Sequence, residues 1–159
     1  MMTHSSLAVA NKILQIAKGK GFPITNMQLI KLAYMAHGWT LALLGRPLIG
    51  DRVEAWQHGP VYPAIYNKFR GAGWMPIQQP ACDSDTGIEI SSEFSEDEKA
   101  ILDKVVLAYG KFHAFELSAR THKQGTPWYQ TFDGGRGKFD VIGNGLIKTH
   151  FDALKAGNA

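Results

Sequence analysis

The sequence has a single cysteine, Cys82, so no disulfide can close within the chain and its fold must rest on packing, as in a reducing compartment. No apolar run approaches the roughly 20 residues of a membrane-spanning helix, because Lys31, His37 and Arg46 interrupt the best stretch. No membrane partner is therefore expected. Residues 1–6 lack both the basic and the apolar segment of a secretory leader, which places the chain in the cytoplasm. Concentrated charge is missing as well: 17 Lys and Arg against 14 Asp and Glu give a net +3, spread thinly and without a basic run, which argues against a nucleic-acid partner.

The usual signatures of chemistry are equally scarce. None of the six histidines belongs to a His-Glu-x-x-His pair, and His113 and His122 stand nine apart, a spacing with no metal-site pattern. Glu54 and His58 are four apart, but Gly59 and Pro60 prevent a continuous helix between them. Cys82 lies in an acidic Pro-Ala-Cys-Asp-Ser setting, whereas a thiolate nucleophile needs positive neighbours. Residues 134–137 (Gly-Gly-Arg-Gly) follow no strand and lack the Lys-Ser/Thr pair of a phosphate loop, so they read as a turn. No catalytic residue, metal or cofactor is assigned, and the chain is read as not an enzyme.

What is present describes a soluble globular protein, with 45% hydrophobic and 19% charged residues, close to the average composition. A chain of 159 residues suits one domain, with a core running from about residue 6 to 154. The most informative stretch is 54–66, Glu-Ala-Trp-Gln-His-Gly-Pro-Val-Tyr-Pro-Ala-Ile-Tyr. Two prolines and a glycine restrain its backbone and Trp56, Tyr62 and Tyr66 give it large amphipathic surfaces, so it reads as a rigid corner.

The elements around this corner follow from periodicity and capping. Ser5 or Ser6 caps a first helix with Leu7, Ala10, Leu14 and Ala17 on one side, stopped by Gly19 and Gly21. Thr25 with Gln28 is a capping box that starts a long second helix ending at Gly45, apolar around most of its circumference and hence central. Residues 52–56 alternate as a short strand, and Pro63 opens a helix to about residue 70. Residues 74–92 read as a surface excursion with one weak strand at 87–90. Ser95 with Glu98 opens a helix to about Tyr109, residues 114–122 form another with Phe115 and Leu117 inward, and Pro127 begins a fresh one. Asn144 caps a last helix with Leu146, Ile147, Phe151 and Leu154 on the core. The expected fold is mainly α, about six helices with one or two short strands.

Tyr34 and Trp39, on the all-round apolar helix, read as core. For Trp56, Tyr62 and Trp128, beside proline corners, core and interface roles both stay open.

Taken together, the segments MQLIKLAYMAHGWTLA at 27–42, GRPL at 45–48, VEAWQHGPVYPAIY at 53–66 and LSARTH at 117–122, with Pro127-Trp128, resemble the Panacea antitoxin domain, a family that includes SocA-like and phage-associated GepA-like proteins. The resemblance runs from about residue 6 to 154. It implies a non-catalytic antitoxin of a type II-like toxin-antitoxin system that neutralises a co-encoded toxin by direct contact, and, in the SocA branch, an adaptor that delivers the toxin to the ClpXP protease. On this reading the signature positions Tyr34, Trp39, Trp56, His58, Gly59, Pro60, Val61, Tyr62, His122, Pro127 and Trp128 form the scaffold of a toxin-binding surface. Ala33 and Met35 replace the bulkier Leu and Tyr common in the family, which alters packing more than role. A small hydrolase and a nucleic-acid-binding phage-associated protein are the alternatives.

Overall fold

A computed structural model describes residues 2–157. Its elements are α1 (Ser6–Lys20), α2 (Asn26–Leu44), β1 (Glu54–Trp56), β2 (Gly59–Val61), α3 (Pro63–Phe69), α4 (Glu96–Tyr109), α5 (Ala114–His122), α6 (Pro127–Phe132) and α7 (Asn144–Lys155), with 3-10 turns at Arg70–Ala72 and Asp133–Gly135. The fold is mainly α, as expected.

Caps set most of the boundaries. The Ser5 hydroxyl accepts the Ala8 N–H at 3.1 Å, and Gly21 closes α1 in a left-handed conformation after the helix has passed through Gly19. At α2 the Thr25 N–H donates to Gln28 Oε1 at 2.8 Å while Thr25 Oγ1 accepts the Gln28 N–H, the reciprocal pair of a capping box. α2 is the axis of the molecule and packs against α1, α3, α4, α5, α7 and β2. Gly38, midway along it, is there for α7: a Cβ at this position would sit 2.2 Å from the Phe151 ring. The same ring lies edge-on to Trp39 at 5.3 Å and Tyr34 at 6.0 Å, so one phenylalanine seats the last helix on the axis.

Residues 59–61, expected as part of a corner, form a second strand instead. β1 and β2 make an antiparallel hairpin in the register Glu54↔Val61, Ala55↔Pro60, Trp56↔Gly59. The outer edge of β1 is occupied, since the Ala55 N–H donates to the Asp140 carbonyl at 2.9 Å and its carbonyl accepts the Phe139 N–H at 2.7 Å. The Ala55↔Pro60 pair is thus a non-hydrogen-bonded one, where proline's missing N–H removes no ladder bond and its carbonyl faces away from β1.

Three further expectations change on inspection. Phe115 is 69% exposed although Leu117 is buried, because residues two apart on a helix point to nearly opposite sides. Leu146 is also exposed: Ile147, Phe151 and Leu154 share a face by their spacing of four and three, and Leu146 lies off it. Gly143, not Asn144, is the cap of α7, and the Asn144 side chain is engaged elsewhere, 2.8 Å from His37 Nε2.

The 74–92 excursion is pinned by one side chain. Asn11 of α1 donates through Nδ2 to the carbonyls of Ala81 and Ile90 at 2.8 and 2.7 Å and accepts the Ala81 N–H at 2.8 Å. Its weak strand is a single bridge, Cys82↔Glu89. Among the described residues no helix is long and apolar enough to cross a membrane.

Candidate functional site

The hairpin is clamped from two sides, and its signature residues are the clamp. Gln57 and His58 turn the chain with ordinary negative φ, and Gly59, at φ 120°, supplies the backbone that no L side chain adopts readily. On the α5–α6 side, Trp128 Nε1 donates to the Trp56 carbonyl at 2.6 Å and the Ser118 hydroxyl donates to the His58 carbonyl. His122 hydrogen-bonds the Ser118 carbonyl through Nδ1 and packs edge-on to Trp128 at 5.3 Å, and Trp128 stacks on Phe132 at 4.6 Å. Pro127 occupies the first turn of α6 and so orients the indole.

On the α2 side stands Lys31, which is fully buried. Its Nζ donates to the Pro60 carbonyl at 2.7 Å, and a Cβ on Gly59 would come within 2.9 Å of the same nitrogen. Desolvation by burial lowers its pKa to about 7. Tyr34 and Tyr62 are buried too, each with a hydroxyl that has no hydrogen-bond partner and a pKa raised by burial.

Beside the hairpin opens a cavity of about 400 Å³ whose walls include Lys31, Trp56, His58, Tyr66, Arg70 and Trp74. None of its lining residues is Asp or Glu. Trp56 is half-buried, held by its Nε1 bond to Glu54 at 2.9 Å and by edge contacts to Tyr66 at 5.0 Å and Phe139 at 5.7 Å. At the rim Trp74 is 76% exposed and lies edge-on to the exposed Phe115 at 6.5 Å, with exposed Met75 next to it in sequence. Exposed aromatics beside a lined cavity are what a protein-binding surface presents.

Residues 29–129 match the family described as "Antitoxin SocA-like, Panacea domain". The chain belongs to this family. It is 37% identical over 142 residues to "Antitoxin SocA" of Caulobacter vibrioides (strain NA1000 / CB15N), a match covering 87% of this chain and 70% of that protein. No solved structure matches. In this Panacea chain the signature positions fall into two groups. Gly59, Pro60, Val61, Tyr62, Pro127 and Trp128 are buried in or around the hairpin, whereas buried Tyr34 and half-buried Trp39 pack on Phe151 of α7. Trp56 and His58 also face the cavity, and His122 braces Trp128 from the outside.

Three participants escaped the sequence reading. Lys31 counted only as an interruption of an apolar run, whereas a lone lysine in the middle of an otherwise apolar axial helix was itself a signal. Trp74 sat in what read as a polar excursion, and Phe115 was assigned inward. Elsewhere, Cys82 hydrogen-bonds the Pro80 carbonyl, and among the described residues no three His, Cys, Asp or Glu side chains could hold a metal ion. Many of the basic residues are spent in dispersed ion pairs, such as Lys20–Asp103, Arg46–Glu98, Arg120–Glu116 and Lys148–Asp152.

Proposed function

We propose that this chain is an antitoxin that neutralises a co-encoded toxin by direct protein contact, and that the contact face is the cavity with its rim of Trp74, Met75 and Phe115. The observation that carries the antitoxin role is the 37% identity to Antitoxin SocA across most of both chains. The choice of face is supported by large aromatic side chains left in solvent beside a cavity, since Trp and Tyr anchors with a surrounding apolar patch dominate protein interfaces. The buried signature residues act as scaffold: they fix the hairpin, and the hairpin holds one wall of the cavity. The reading has no catalytic step.

The test is genetic. The gene adjacent to this one, expressed alone, arrests growth, and co-expression of this chain restores it. A neighbour that is harmless alone, or whose toxicity this chain leaves unchanged, contradicts the proposal. The adaptor variant adds a second measurement: the toxin's half-life shortens in the presence of this chain only when ClpXP is intact. Equal half-lives with and without the protease leave sequestration as the mode of action.

A further inference from the structure

From the cavity beside the hairpin we infer a binding site for a polypeptide carboxyl terminus that ends in an apolar residue, with Lys31 as its cationic anchor and Asn26 as its amide partner. Three observations converge on it. Lys31 lines the cavity, and its ammonium has three N–H donors but one hydrogen bond, to Pro60, so two donors have no partner within the fold. None of the lining residues is acidic and Arg70 adds a second cation, so an incoming anion meets two basic side chains and no carboxylate.

The second observation is Asn26, a neighbour in the same wall. Its Nδ2 donates to the Tyr66 carbonyl at 3.2 Å, while its Oδ1 is buried with no partner. A buried carbonyl oxygen without a donor is rare in folded proteins, and a ligand N–H satisfies it. Third, the remaining walls are largely aromatic and aliphatic: Trp56, Tyr66, Ile30 and Val61. An ammonium, an amide acceptor and an apolar chamber together match the last residue of a peptide chain, which offers a carboxylate, an N–H and a side chain from one α-carbon. Capture of chain termini in such polar and apolar combinations is a recurrent mode of peptide recognition.

The depressed Lys31 pKa fits the same arrangement, since an arriving carboxylate favours the protonated amine and binding takes up a proton near neutral pH. That the terminus belongs to the toxin rests on the antitoxin reading. The carboxylate chemistry does not, and the test below contains no toxin. Its failure leaves the antitoxin reading standing, and failure of growth rescue leaves the site standing.

The probes are N-acetyl-glycyl-phenylalanine as the free acid, the same peptide as its carboxamide, and 3-phenylpropionate, which keeps ring and carboxylate but has no N–H. Binding is read from tryptophan fluorescence and from amide and indole NMR shifts of the whole chain at pH 6.5. The free acid should shift the resonances of Asn26, Lys31 and the Trp56 indole and bind roughly tenfold or more tightly than either other probe, a factor equal to the loss of one charge-assisted hydrogen bond. Lys31→Met should remove the preference for acid over amide while still unfolding in one cooperative transition. Equal binding of acid and amide, shifts confined to another surface, or a preference that survives Lys31→Met overturns the assignment. Equal binding of 3-phenylpropionate overturns the terminus in favour of a free carboxylate. If Lys31→Met fails to fold, the comparison of the three probes on the unaltered chain decides alone.

Discussion

Lys31 Nζ lies 2.7 Å from the carbonyl oxygen of Pro60, and this single bond joins the axial helix to the second strand of the hairpin inside a fully buried setting. The bond is possible because proline stands at a strand position whose carbonyl faces away from its partner strand. It also places a titrating group in the core. The folded-state pKa is about 7 and the ordinary value 10.5, so between these pH values the unfolded chain holds a proton that the folded chain has released. Stability therefore rises with pH across that window, by on the order of a few kcal/mol, and is insensitive to this group below it. Lys31→Met removes the dependence and also the bond to Pro60. The variant's Tm relative to the parent should fall steadily from pH 7 to pH 10, as followed by calorimetry. Parallel curves mean that Lys31 stays charged in the folded chain.

Gly38 and Phe151 make a second, purely steric prediction. A methyl group at position 38 occupies space the Phe151 ring already fills. Gly38→Ala gains helix propensity worth about 1 kcal/mol, but overpacking costs about 1–3 kcal/mol and displaces α7. The net result is a lower Tm, and Phe151→Leu introduced into the Gly38→Ala variant should restore part of it. Thermal melts of the two variants and the parent check this; a Gly38→Ala variant more stable than the parent contradicts it.

Glu98 contributes to stability on the acid side. Burial alone would raise its carboxyl, but the Ser95 N–H, His4 and Arg46 outweigh that and hold its pKa below the ordinary carboxylate value. A depressed carboxylate stabilises the fold above its unfolded pKa, and the stabilisation is lost as pH falls through the folded value. The difference in Tm between the parent and Glu98→Gln should be largest near neutral pH and shrink steadily below about pH 4. A difference that stays constant down to pH 3 contradicts this role.

Much of the scaffold could be read directly from local sequence. The Thr25–Gln28 and Ser95–Glu98 boxes and the Gly21 and Gly45 caps are short-range chemistry, so α1, α2 and α4 begin and end close to where capping rules put them. The second strand was not legible, because three residues containing a proline become a strand only through pairing with β1, a tertiary event. Lys31 was hidden for a related reason. A lysine in an apolar helix ordinarily runs its stem along the surface and keeps its charge in water, and only the arrival of the hairpin over it makes it core. The family residues, read as the scaffold beside a toxin-binding surface, lie mostly in and around the hairpin, with Tyr34 and Trp39 packed on Phe151 instead, while the exposed Trp74 and Phe115 belong to no motif at all.

On the proposed function, the aromatic rim meets the partner and the buried signature residues only shape it. The direct measurement is a calorimetric titration of the adjacent gene's product with the parent chain and with a Trp74→Ala/Phe115→Ala variant. Both side chains are exposed, so Tm should move by no more than the equivalent of about 0.5 kcal/mol per site. Loss of two aromatic anchors should weaken binding by about 2 kcal/mol or more, roughly thirtyfold, and abolish growth rescue. A variant that keeps its fold and binds the product as tightly as the parent places the interface elsewhere and contradicts the account.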